Sequence, residues 1–284
     1  MDLGAYNGLF TNTPNGAVNG IVQGVNNGNS NGIFNENIVD NGILRNNLVV
    51  NLDAGNRRSY VGGGLNWNDL TLNAVNGTLL NQASMYYTSI NGGAIVFDAT
   101  NPTNFIQCPI NANLNFCETN NDLPFSVNIW CHIFTLGDSF LLHNKGDNGN
   151  ASLESYAATV NTSGTFGLTL YDTNGSFQST ATTVATVPTR RWVNLCHTYS
   201  GSGGNAGIKL YINGVAQAVT LSASGYVRMR VQSSNLWLGS FGSTGSFNFR
   251  RSNGMYSIFQ FYNKELTPTE IQQNYISQKQ RFNL

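Results

Sequence analysis

Beyond residue 46 the apolar residues fall into short runs separated by Gly, Asn, Ser or Pro clusters. They read "GAIVFDA", "FSVNIWCHIF", "SFLLHNK", "TFGLTLYD", "RWVNLCHTYS", "GIKLYINGVAQ", "NLWLGSF" and "MYSIFQFYN". Many short strand-like runs with no helical stretch between them predict an antiparallel sandwich or barrel. In "FSVNIWCHIF", alternation puts Phe125, Val127, Ile129, Cys131 and Ile133 on one face, which reads as core. The other face carries Ser126, Asn128, Trp130, His132 and Phe134, and is expected to be half wet. In "IKLYINGV", Ile208, Leu210 and Ile212 point inward, and Asn213-Gly214 is predicted to turn the strand back through a tight hairpin. One helix signal stands near the end. In "LTPTEIQQNYISQ", Thr267 is an N-cap, Pro268 takes the first helical position and Glu270 completes a capping box. Ile271 and Tyr275 share a face, so this short helix should lie on the sandwich.

Residues 1–46 have another texture. Read in twelves they give "YNGLFTNTPNGA", "VNGIVQGVNNGN" and "SNGIFNENIVDN", each with an early Asn-Gly followed by an apolar pair. Asn-Gly suits tight turns and an apolar pair suits a brief strand. Three such units bury too little to stand alone. The segment is either a flexible leader or an arm that orders against a partner subunit or its own domain. The regular spacing of Leu9-Phe10, Ile21-Val22 and Ile33-Phe34 favours the arm. The expected division is therefore an Asn/Gly-rich arm over 1–46 and a β-sandwich domain over 47–284.

Charge narrows the partners. Only 10% of residues are charged, and 14 basic residues balance 14 acidic ones. Phosphate binding needs clustered Lys and Arg, so nucleic acid is not expected as a partner. Arg57/Arg58, Arg190/Arg191 and Arg250/Arg251 read as isolated pairs on solvated loops. Polarity comes mainly from amides, with 43 asparagines. No apolar run is long enough to span a membrane. The start lacks the basic and apolar regions of a secretory signal, so the chain is expected either to bypass general secretion or to have been trimmed.

The strands, in this order, resemble the laminin-G-like branch of the concanavalin A-like lectin/glucanase superfamily. The residues that carry the resemblance are "LVVNLDAGNRRSYVGGGLNWNDLTLNAVNGTLLN", "GGAIVFDATN", "FSVNIW", "LLHNKGD", "RWVNLCHTYSGSGGNAGIKLYINGVAQ", "LWLGSFG" and "NGMYSIFQFYNKELTPTEIQQNY". The resemblance implies an all-β fold, an antiparallel jelly-roll sandwich from about residue 47 to the end. It implies no single function, because this fold hosts lectins, adhesion modules, hydrolases and spacers. The arm followed by "LVVNLDAGN" is also similar to virion proteins of large DNA viruses and phages, in which such domains decorate capsids, fibres or tails.

The titratable residues carry little patterned chemistry. The superfamily's glucanases place their acids two residues apart on a strand, and a retaining pair must sit about 5–5.5 Å apart. Glu36, Glu118, Glu154, Glu265 and Glu270 have no acidic neighbour at that spacing; Glu118 and Asp122 come nearest, in a loop-like "CETNNDLP". No Gly-x-Ser-x-Gly elbow accompanies His132, His143 and His197, which read as two strand residues and one at a turn. Cys131-His132 and Cys196-His197 suggest zinc, but neighbours on a strand face opposite ways. Cys108 and Cys117 could bridge a loop, and a chain without a signal favours free thiols. Laminin-G-like relatives often hold Ca2+ at a loop rim, and Asp69 and Asp98 match positions that are acidic there; the alternative is that both cap turns. For glycans, an exposed aromatic is wanted. Trp67, in a loop-rich stretch, is the candidate among Trp67, Trp130, Trp192 and Trp237, while Trp192 reads as structural. The leading expectation is a non-enzymatic structural or adhesion protein of a virion, anchored by its arm to other subunits in a homo-oligomer or larger assembly. The alternative is an extracellular carbohydrate-binding module, and a glycoside hydrolase stands third.

Overall fold

The computed structural model describes residues 42–80, 85–97, 104–118, 121–137, 139–146, 154–173, 178–239 and 252–284. Asp98 and the twelve-residue units of the arm lie outside the described residues. In chain order the strands begin with β1 (Leu48–Asp53), β2 (Asn66–Trp67), β3 (Gly77–Leu80), β4 (Met85–Thr88), β5 (Ala94–Phe97) and β6 (Phe105–Cys108). Then come β7 (Phe125–Ile133), β8 (Phe140–Gly146), β9 (Glu154–Val160), β10 (Thr165–Tyr171), β11 (Gln178–Thr186) and β12 (Trp192–Tyr199). The last are β13 (Ile208–Ile212), β14 (Val215–Ala216), β15 (Val219–Ala223), β16 (Leu236–Leu238) and β17 (Gly254–Tyr262), before helix α1 (Pro268–Lys279).

Two antiparallel sheets result. The first runs β14-β13-β12-β7-β17-β5-β4, with β1 continuing beyond β5 along the same side of β17. The second runs β15-β11-β10-β9-β8-β16-β6-β3-β2. Their facing sides form one core that contains the whole expected set of Phe125, Val127, Ile129, Cys131 and Ile133. Rings dominate its centre. Phe116 stacks on Phe125 and on Phe261 at 4.6 and 5.1 Å between centroids. The hairpin after β13 is as expected, since Asn213 and Gly214 both take positive φ (51° and 75°).

The outer face of the first sheet departs from expectation. Trp130 and Asn128 are buried rather than half wet. The cover is α1 and the turn that follows it. Phe282 stacks on Trp130 at 4.1 Å and 13°, and Tyr275 lies parallel to the same ring at 5.7 Å. The helix begins where the capping box places it: Thr267 Oγ1 accepts from the Glu270 amide, and Glu270 accepts from the Thr267 amide. Lys264 pairs with Glu270 at 2.7 Å, tying the helix start to the end of β17. Leu44 is held beside the helix, its amide donating to Asn274 Oδ1 and its carbonyl accepting from Tyr262.

Candidate binding groove

A groove of about 700 Å3 opens on the outer face of the first sheet, between β1, the 69–72 loop and the end of α1. Alternation sets its floor. In "LVVNLD" the inward residues are Val50 and Leu52, while Asn51 and Asp53 face outward beside Gln260 and Ile258 of β17. A bulge between Leu48 and Val50 keeps Leu48 on the groove side as well.

The floor amides are oriented by a chain of hydrogen bonds that starts in the protein interior. Asn194 Nδ2 donates to Asn128 Oδ1 at 2.8 Å, and Asn128 Nδ2 donates to Gln260 Oε1 at 2.8 Å. Gln260 Nε2 then donates to Asn51 Oδ1 at 3.3 Å. This direction leaves the Asn51 amino group as a donor toward the groove. Gln278 Oε1 is fixed in turn by the Trp130 indole N–H at 2.8 Å.

Asp69 builds the wall. Its Oδ1 accepts from the amides of Asn51 and Thr71, and its Oδ2 from the Thr71 hydroxyl and the Val75 amide. The Leu70 amide donates to the Asn51 carbonyl, so the loop is stapled to β1. Leu72 is thereby held fully exposed at the rim. At the far end Arg281 bonds Asp53 at 2.6 Å, and also the Asn91 and Gly93 carbonyls and the Ser257 hydroxyl. These bonds take four of its five N–H groups. Arg58, set on a turn by the Asn56 side chain, presents an exposed guanidinium instead. Among the described residues no carboxylate pairs with it. The groove can therefore offer amide donors and acceptors, the exposed Arg58 guanidinium and aliphatic walls.

Several expected site residues stand elsewhere. Trp67 is a core residue: it is 0% exposed and sits opposite Gly77, so it offers no platform to a ligand. Trp130, Trp192 and Trp237 are also buried, Trp192 donating to Asn91 and Trp237 to the Gly146 carbonyl. Asp69 does not fit calcium, because both oxygens face N–H or O–H donors rather than open space. Among the described residues no three His, Cys, Asp or Glu side chains gather around a common point. All four cysteines are free and buried, so Cys108 and Cys117 form no bridge. Burial pushes the Cys108 thiol up to about 12 and raises Cys131 and Cys196 as well. Glu118 is exposed, whereas Asp122 is buried and accepts from Tyr199, Tyr226 and the Met229 amide. All three histidines lie in strands, and His143 of β8 meets His197 of β12 across the core.

The sequence held a signal for the groove that alternation alone did not single out. Asn51 and Gln260 are lone amides inside apolar runs, "LVVNLD" and "SIFQFY". Arg58 carries no such mark, because the pair Arg57/Arg58 reads as solvated.

No curated protein matches the chain in sequence. Solved structures do match in fold. The binding domain of Paraclostridial Mosquitocidal Protein 1 aligns with a TM-score of 0.59 at 18% identity, over 81% of this chain and 52% of that one. The Botulinum Neurotoxin Type G receptor binding domain gives 0.55 at 15%, over 82% and 51%. Domain 4 of AbnA, a GH43 extracellular arabinanase from Geobacillus stearothermophilus solved with arabinotriose, gives 0.55 at 16%, over 80% and 98%. The chain thus spans about half the length of the two toxin domains and nearly all of the arabinanase domain. Identities this low speak for the fold alone. The family model described as the Concanavalin A-like lectin/glucanases superfamily, in a laminin G form, matches residues 103–272, more than half of the chain, and the chain belongs to that superfamily.

Proposed function

We propose that this chain is a non-catalytic recognition module that binds glycans, or a glycan-bearing receptor, in the groove beside β1. The observation that carries the reading is the floor of pre-oriented amides next to Arg58. A sugar hydroxyl both donates and accepts, as an amide does, and groups already held in place lose little entropy on binding. The Arg58 guanidinium favours ligands that carry a carboxylate, which it can grip through two parallel bonds. Fold neighbours that are toxin binding domains, and one solved with a bound oligosaccharide, support the same reading. Asp53 is engaged by Arg281 and has no second acid beside it among the described residues, so the reading contains no bond-breaking step. A glycan array tests it. Binding by the full chain should weaken at least tenfold in Arg58→Ala, and preferentially for acidic glycans. Silence of the unaltered chain across broad neutral and acidic arrays would defeat the reading.

A second reading concerns display. The regular apolar pairs of residues 1–46 support an arm that seats the module in a larger assembly, such as a virus particle, or in the extracellular space around one. Removing residues 1–41, which spares the buried Leu44, should leave a folded sandwich that no longer co-purifies with that assembly. Undiminished incorporation of the shortened chain would count against the arm.

A further inference from the structure

We propose that His143 and His197 form an acid-sensitive latch between the two sheets, closed while both rings are neutral and broken when they take up protons. His143 projects from β8 of the second sheet and His197 from β12 of the first, and both are buried. Their Nε2 atoms lie 2.7 Å apart. At that separation one ring donates its N–H and the other accepts. The bond is a side-chain link across the middle of the core.

The surroundings give an added proton no welcome. His143 faces Tyr156 of β9 and Phe259 and Phe261 of β17. His197 faces Phe125 of β7 and Phe166 of β10. Tyr156 is the titratable group among these rings; burial raises its pKa, and its hydroxyl donates to the Leu114 carbonyl. Lys145, two residues along β8, directs its ammonium to the Ser234 carbonyl. Neither histidine has a carboxylate among the groups that influence its titration. Both Nδ1 atoms are buried without a hydrogen-bond partner. A first added proton therefore buries a charge with nothing to accept its N–H. A second puts N–H on both Nε2 atoms, removes the bond and sets two cations 2.7 Å apart.

The consequence is a pH-dependent stability with a definite sign. Desolvation lowers His143 to about 3, and desolvation together with its partner ring holds His197 well below its ordinary value. The unfolded chain, with ordinary histidines near about 6.5, binds the protons that the folded chain refuses. Stability from the pair is complete above about 6.5 and declines as pH falls toward about 3.

Denaturant unfolding of the full chain between pH 8 and 5 tests this. The unfolding constant should be flat above about pH 7 and then climb toward about 100-fold per pH unit, the signature of two protons. The double variant His143→Leu/His197→Leu should lose most of that slope, while His132→Gln, removing the half-buried third histidine, should keep it. If the double variant does not fold, nitrogen-detected NMR of the unaltered chain decides. The two rings should hold neutral-tautomer signals down to the onset of unfolding. A flat profile, a slope retained in the double variant, or two rings that titrate near pH 6.5 with the fold intact would each overturn the latch.

Discussion

Trp67 illustrates how a single residue's role depends on its opposite number. Its strand partner is Gly77, where an added Cβ would meet Ile106 Cγ2 at 2.7 Å and Trp67 Cβ at 3.5 Å. The missing side chain leaves room for the indole, which fills the core. Trp67→Ala should therefore cost about 3–5 kcal/mol of stability, the usual range for emptying an aromatic site. Trp67→Phe should cost clearly less, because the indole N–H has no partner to lose. Equilibrium unfolding in urea checks both. A near-neutral Trp67→Ala would show that the ring is not packed as described. Asp69 and Arg58 make the same point in the groove. The carboxylate is absorbed by four donors and shapes a loop, while the Arg58 guanidinium stays exposed.

At the scale of elements, α1 is a cover more than a helix in its own right. It is about three turns long, and a helix of that length is marginal alone in water. Its capping box contributes about 1 kcal/mol. The larger contribution is the stack of Trp130 between Phe282 and Tyr275, with Trp192 against the same Phe282 ring at 4.8 Å. Thr267→Ala should lower stability by about 1 kcal/mol. Phe282→Ala should lower it by about 3 kcal/mol or more and expose Trp130, which a red shift in tryptophan emission would report. The order of these two effects is the test. If the cap outweighs the stack, the helix is held by its own backbone rather than by the sheet. Gly214 ties the β13–β14 hairpin to the same cover, for a Cβ there would meet Gln272 Oε1 at 2.7 Å in a backbone with φ of 75°.

For the whole molecule, the two sheets are joined chiefly by apolar contact, and the histidine pair is a polar exception in the middle. Two buried neutral histidines that charge on unfolding remove about 4 kcal/mol between pH 7 and pH 5, at about 1.4 kcal/mol per unit each below 6.5. Domains of this kind hold about 5–15 kcal/mol in total. The loss is thus large enough to loosen the module in mildly acidic surroundings without unfolding it at neutral pH. A thermal midpoint that falls steadily from pH 7 to pH 5 in the unaltered chain, and stays level in the double leucine variant, is the expected outcome.

Local patterning determined much of this protein before any tertiary contact is considered. Period-two alternation specified the strands and the core face of "FSVNIWCHIF". Two residues able to take positive φ specified the β13–β14 turn. The capping box specified where the helix begins. These are short-range properties, written in neighbouring residues. Tertiary structure decided what alternation cannot express. Outward residues of a strand are wet or dry according to what lies above them, so Trp130 and Asn128 became buried only when α1 docked. Whether an acid caps a turn or remains open depends on amides brought from another strand, as Asn51 was to Asp69. The groove and the histidine pair both join residues far apart in the chain, Asn51 with Gln260 and His143 with His197. No spacing in the sequence encodes such a meeting, because it is set by the order in which strands enter two sheets and by the distance at which those sheets pack.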